Sequence, residues 1–266
     1  MAEHRIQHGE ATLFARTDGV DDPTAPTILF ANSLGTDLSI WDDVLPRLPD
    51  SLRIVRFDKR GHGRSSVPPA PYAMGKLISD AEAVCDALEV RDAVVVGLSI
   101  GGIIAQGLAV KRHDIVRAIV LSNTAAKIGT RATWDERIAT VRTQGLDGLV
   151  DAVMERWFSR PFRESPEIER WRALFLSTPP EGYIGCCAAI SHTDFYTPTA
   201  ALRLPTLGIA GSEDGATPPD LVRETTDLVP GSKFELMRGV GHIPCVEQPE
   251  AYARLLTRFL TDIAHP

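Results

Sequence analysis

The sequence predicts an α/β fold, a mostly parallel sheet with helices on both faces. Three observations carry that reading. Short apolar, β-branched runs recur along the chain, helical patterns separate them, and the alternation is broken once by a long stretch that reads as helix alone. A length of 266 residues fits around a single core, so the chain is read as one domain with an insertion rather than as two domains.

Residues 5–7 and 12–16 read as a hairpin, an antiparallel edge on an otherwise parallel sheet. Runs at 27–31, 53–57, 93–96, 116–121, 207–210 and 233–237 follow as strands, which brings the sheet to eight. Several are continuously apolar, as strands covered on both faces must be. Helical patterns at 77–88 and 103–111 supply crossovers between parallel neighbours. Between residues 121 and 207 no buried strand is legible, and helical patterns recur at 133–142, 146–158 and 166–176. Breaks there carry turn chemistry, as in Ser177-Thr178-Pro179-Pro180 and Thr197-Pro198. The expected division is a core of residues 1–123 and 203–266 with a helical cap over 124–202. An amphipathic helix over 249–263 closes one face of the sheet.

An apolar share of 44% beside 24% charged residues is ordinary for a globular protein. The net charge of −7 and a pI near 5.5, without a Lys/Arg block, exclude a nucleic-acid binder, because phosphate neutralisation needs a concentrated basic face. The first residues lead into no apolar signal segment, and no run approaches the roughly 18 apolar residues of a membrane span. A cytoplasmic protein without membrane contact is expected. Cys85, Cys186, Cys187 and Cys245 show no C-x-x-C spacing, so they are expected to be reduced, packed side chains. No residue pattern calls for a metal or an organic cofactor, and the sequence does not fix the oligomeric state.

The chemistry concentrates at Val94-Val95-Val96-Gly97-Leu98-Ser99-Ile100-Gly101-Gly102, a strand running through G-x-S-x-G into a helical pattern. A serine on so sharp a strand-to-helix turn needs small neighbours, and Gly97 and Gly101 provide them. The bare pattern is common; the β-branched run before it and the helix after it make Ser99 the candidate nucleophile. A serine nucleophile needs a base, and the base needs a carboxylate that holds its tautomer. After the strand at 233–237 comes Gly239-Val240-Gly241-His242, and His242 is the candidate base. After the strand at 207–210 comes Gly211-Ser212-Glu213-Asp214-Gly215, with two adjacent carboxylates. Asp214 is preferred because a short carboxylate before glycine suits a fixed turn, and Glu213 is the alternative, read as its solvated neighbour.

An oxyanion requires two donors. The backbone N–H of Ile100 and that of Leu34, in the loop Asn32-Ser33-Leu34-Gly35, are the candidates, with Asn32 and Ser33 shaping the loop or touching substrate. In Asp58-Lys59-Arg60-Gly61-His62-Gly63, His62 is read as a structural loop residue, braced by Asp58 and Arg60.

These motifs resemble the 3-oxoadipate enol-lactonases of aromatic-compound catabolism, a branch of the α/β-hydrolase fold superfamily. The resemblance rests on Asn32 through Asp42, on Asp58 through Gly63, on Gly97 through Gly102 and on Gly211 through Asp214. In the cap it rests on Trp134, on Arg137 through Arg142, on Arg156-Trp157-Phe158 and on Gly182 through Ile190. Asn32-Ser33 replaces the His-Gly of many superfamily members, and His192 through Phe195 matches the branch less clearly. The resemblance implies a small anionic lactone substrate, opened by water through an acyl-enzyme. Its acetate arm demands a cation in a protein whose net charge repels it. Arg137, three residues beyond Trp134 on the same helical face, is expected to clamp that carboxylate together with the indole N–H. Competing readings are a carboxylesterase or lactonase of other specificity, with possible perhydrolase activity, and a non-catalytic binder of small molecules.

Overall fold

A computed structural model describes residues 1–265; residue 266, the last of the expected second core segment, lies outside the described residues. The chain enters through a hairpin, β1 (Ala2–His8) and β2 (Ala11–Gly19), and continues with β3 (Thr27–Ala31), β4 (Arg53–Asp58), α1 (Met74–Ala87), β5 (Ala93–Leu98), α2 (Ile100–Lys111) and β6 (Val116–Ser122). Six helices follow without a strand: α3 (Arg131–Gln144), α4 (Val150–Trp157), α5 (Arg160–Arg163), α6 (Ile168–Leu176), α7 (Pro180–Ser191) and α8 (Tyr196–Ala200). The chain then forms β7 (Thr206–Gly211), α9 (Pro219–Asp227), β8 (Lys233–Met237), α10 (Pro244–Glu247) and α11 (Pro249–Asp262).

The eight strands form one sheet in the order β1-β2-β4-β3-β5-β6-β7-β8. The pairs β1·β2 and β2·β4 are antiparallel, and every other pair is parallel. An eight-stranded, mostly parallel sheet with an antiparallel edge is the architecture the apolar runs predict. Every residue of β3, β4, β5 and β7 is buried, which explains the apolar runs of β3, β5 and β7: helices cover both faces, so no face alternates to water, and β4 buries Arg53, Arg56 and Asp58 as well. On α11, Tyr252 reaches Trp41, whose ring lies 4.6 Å from that of Phe30 on β3.

Besides the short α5, α8 and α10, two longer helices are absent from the sequence reading, α7 and α9, for related reasons. Each opens on a Pro-Pro pair that reads as a break but stands at the start of the helix, where a missing N–H costs nothing. From Gly182 to Ile190, α7 is also buried on every side, so it shows no amphipathic period. The pattern at 146–158 splits into a 3-10 turn, Leu146–Gly148, and α4, with Leu149 at φ −117° between them, and Gly145 at φ +68° sets both off from α3. All four cysteines are buried and unpaired.

Parallel strands deliver their carboxyl ends to one rim of the sheet. There Ala31, Asp58, Leu98, Ser122, Gly211 and Met237 each open into a loop. At the centre of the rim the close approach of α2 is set by glycine. A Cβ on Gly101 would stand 2.1 Å from the Ala31 carbonyl oxygen, and one on Gly97 would stand 2.3 Å from that of Gly101. Gly101→Ala is therefore expected to lower unfolding free energy by about 3 kcal/mol through overpacking against backbone. Gly75→Ala on α1, where a Cβ meets nothing within 4 Å, should raise it by a few tenths of a kcal/mol. Urea denaturation of both variants checks the contrast, and equal effects would refute the packing argument.

Candidate active site

Ser99 leaves β5 with φ 59° and ψ −120° and opens α2. This conformation is strained for any residue with a side chain, and hydrogen bonds on both sides hold it. Ser99 N–H donates to Ser122 O at 3.0 Å, and the Thr124 hydroxyl donates to Ser99 O at 2.6 Å. The Ser99 side chain opens onto a cavity of about 210 Å³ that Ser33, Leu34, Trp134, Arg137 and His242 also line.

Behind His242 stands Asp214, buried. His242 Nδ1–H donates to Asp214 Oδ2 at 2.9 Å. The same oxygen accepts Asn123 Nδ2 at 2.9 Å and the Thr217 hydroxyl at 2.8 Å, while Oδ1 accepts the backbone N–H groups of Ala216 and Thr217 at 2.7 and 2.9 Å. Burial works to raise the Asp214 carboxyl, but the charge and hydrogen bond of His242 with the donors from Asn123 and Thr217 outweigh it and hold the group below its usual range. Asp214 is thus a fixed anion that orients the ring. Glu213 is exposed and only its backbone N–H is engaged, to Val240 O.

The loop after β3 is held from beneath. Asn32 donates to Phe57 O at 2.8 Å and accepts the Trp41 indole at 2.7 Å, and Gly35 N–H donates to His62 Nε2 at 2.9 Å. His62 accepts at Nε2, so its proton sits on Nδ1; burial, reinforced by the Lys59 charge, keeps the ring neutral. Asp58 ties two loops together by accepting Leu38 N–H at 2.8 Å and Arg64 N–H at 2.9 Å, and Arg60 pairs with Asp80 and Glu10. Among the described residues neither Leu34 N–H nor Ile100 N–H donates a hydrogen bond, so both donors are available beside Ser99.

Trp134 departs from expectation. Its indole N–H donates to Ile128 O at 2.7 Å, because the turn at Gly129 brings that carbonyl back under α3. It therefore has no donor left for a ligand, and the expected two-donor clamp is corrected to a ring wall beside the Arg137 guanidinium, which stands 5.3 Å from the Trp134 ring centroid. Arg137 donates to the buried Tyr183 hydroxyl at 3.1 Å and forms no ion pair among the described residues. A second cation, Arg156, lines the same cavity. Although much of that residue is open to solvent, its guanidinium is pushed down, by desolvation first and by the Arg137 charge second. It too has no ion pair among the described residues; its Nε–H donates to Gly215 O at 3.1 Å.

Among the described residues no group of three or more His, Cys, Asp or Glu side chains is placed to hold a metal ion, and no helix is long and apolar enough to cross a membrane. A strained serine, an aspartate-oriented histidine and the free Leu34 amide border one cavity, and the free Ile100 amide follows the serine directly in the chain. The family model described as the alpha/beta hydrolase family matches residues 28–255. The chain belongs to the alpha/beta hydrolase family. Within it, the chain is 35% identical to 3-oxoadipate enol-lactonase 2 of Acinetobacter baylyi over 229 residues, 85% of either protein. It is 32% identical to 3-oxoadipate enol-lactonase 1 of the same organism, over 95% of this chain and 94% of that one. The crystal structure of the enol-lactonase from Burkholderia xenovorans superposes with a TM-score of 0.92 at 34% identity, covering 98% of this chain and all of the other.

Three contacts around this cavity escape the sequence reading as site residues. Asn123 follows β6 at φ +46° and bridges Asp214 to Gly241 O; its signal is the polar Ser122-Asn123-Thr124 closing an apolar strand. Arg156 ends an apolar helix and looks like a solvated charge. Glu247 has no signal in the sequence, yet it accepts Gly241 N–H at 2.6 Å and both the N–H and the hydroxyl of Ser159, joining the His242 loop to the helical insertion. Glu247→Ala strands these donors. It should lower unfolding free energy by about 2 kcal/mol in urea titration, and unchanged stability would contradict the bridging role.

Proposed function

We propose that this protein is a serine hydrolase that opens the lactone ring of 3-oxoadipate enol-lactone to give 3-oxoadipate, in the β-ketoadipate pathway of aromatic degradation. The observation that carries this is the pairing of His242 with Asp214 on the cavity that Ser99 opens into, which is also lined by two arginines that form no ion pair among the described residues. The cavity's 210 Å³ is below the roughly 300–1,000 Å³ of pockets for drug-sized ligands, which favours a small acid over a bulky ester.

In this reading Ser99 Oγ attacks the lactone carbonyl as His242 Nε2 takes its proton, and Asp214 stabilises the resulting imidazolium. The oxyanion rests on the N–H groups of Leu34 and Ile100. Collapse of the tetrahedral adduct breaks the ring C–O bond and expels an enolate, which His242 protonates. The enol ketonises, and this makes re-closure unfavourable. His242 then activates water against the acyl-enzyme, and Ser99 is regenerated. Residues 124–202 act as the cap that reads the substrate, with Arg137 holding the acetate arm and Arg156 adding to the positive field.

Three outcomes are expected. Ser99→Ala abolishes both turnover and covalent labelling by a fluorophosphonate; surviving turnover would exclude the acyl-enzyme. Asp214→Asn lowers kcat by about 10⁴-fold, because the ring takes the wrong tautomer; a change of less than tenfold would remove Asp214 from its role. Arg137→Ala raises KM for the anionic lactone far more than for a neutral aryl ester, and equal effects would remove its assigned contact.

A further inference from the structure

The peptide group between Ser33 and Leu34 is held at its carbonyl end and free at its N–H end. Its N–H is one of the two free donors beside Ser99. Its carbonyl oxygen accepts Lys59 Nζ at 2.5 Å and the Thr36 hydroxyl at 2.9 Å. Lys59 is only 2% exposed, its one other contact is Thr36 O at 3.2 Å, and it forms no ion pair among the described residues. The adjacent Asp58 carboxylate is occupied by backbone N–H groups of Leu38 and Arg64. A buried ammonium bound only to carbonyl oxygens is a costly way to brace a loop, since a neutral donor would do so with less desolvation. A positive charge on the carbonyl oxygen does something a neutral donor does not. It draws density through the amide from nitrogen to oxygen, so that the N–H at the other end of the same peptide becomes a stronger donor.

We propose that Lys59 is a positioning residue of the oxyanion site: its ammonium, acting through the Ser33 carbonyl, orients and polarises the Leu34 N–H that meets the tetrahedral oxyanion. This rests on the reading of Ser99 as nucleophile. Because the oxyanion carries charge that the bound carbonyl lacks, the effect falls on kcat and leaves KM nearly unchanged.

The ammonium also makes the effect titratable. Burial pushes Lys59 down to about 8, against the charges of Asp58 and Asp37. Of the other groups facing it, Asp58 is pushed up by burial only to about 6, His62 is held neutral, and the Cys186 thiol on α7 is pushed up to about 12. Lys59 is accordingly the group in this cluster that changes charge between about pH 7 and 9. It is charged below its pKa and neutral above it, so the oxyanion donor is strongest on the acid side and weakens as pH rises through about 8.

The test compares the full-length wild type, Lys59→Met and Ser99→Ala on the enol-lactone from about pH 6.5 to 9.5. Lys59→Met should lose at least about tenfold in kcat with KM within about twofold, and the wild type's fall in kcat near pH 8 should vanish in the variant. Unchanged kcat in Lys59→Met, or a loss expressed equally in KM, overturns the proposal. Should Lys59→Met fail to fold, the wild type alone decides, because kcat flat across that range overturns it equally. Turnover retained by Ser99→Ala would instead overturn the nucleophile reading on which the proposal rests.

Discussion

The backbone of Ser99 occupies a conformation that costs an ordinary residue on the order of 1–3 kcal/mol, and the surrounding sheet is arranged so that the chain has no cheaper course. Ser99 is pinned to Ser122 on one side and by Thr124 on the other. Gly97 and Gly101 allow α2 to lie so close to β3 and β5 that a single added methyl would meet backbone oxygen. The strain has a geometric product. It turns the hydroxyl out of the strand toward the cavity and leaves the Ile100 N–H at the start of a helix with no partner of its own. The loop after β3 must come to the same point, and its registration through Asn32, Trp41 and His62 follows from that demand.

How much of this was legible in the sequence depended on whether a residue's role is set locally. The parallel strands were readable because double-sided burial writes itself as unbroken apolar runs, and Ser99 was readable because its turn forces glycine at fixed spacing. His242 and the carboxylate pair at residues 213–214 were placed by the rule that ligands gather where parallel strands end, and the coordinates put Asp214, not Glu213, against the ring. The helices α7 and α9 were hidden by proline pairs whose effect depends on which side of a helix start they fall. Arg156 and Glu247 were hidden for a deeper reason. The partners that give them their place, Gly215 and Ser159, lie 59 and 88 residues away, and taken alone each reads as a solvated charge. Trp134 shows the converse error, since a side chain correctly placed on the cavity had its polar atom committed to a carbonyl six residues back.

The insertion between β6 and β7 is bound to the core more tightly than its position as an insertion suggests. Its segment from Arg156 to Ser159 carries backbone and side-chain hydrogen bonds to both loops that hold the imidazole and its carboxylate: Gly215 N–H to Arg156 O at 3.1 Å, His242 N–H to Trp157 O at 2.7 Å, and Ser159 to Glu247. Those bonds are part of what sets the angle of the ring.

This attachment constrains how the protein breathes. An insertion that swung away whole would break those bonds and pull the imidazole off its mark. The fastening of α3 is of another kind: only Val141 is fully buried, but the helix packs along α7 and Arg137 ties it to the Tyr183 hydroxyl. Trp134 and Arg137 thus ride on an element whose ties run to Ile128 and to α7 rather than to the loops of the imidazole and its carboxylate.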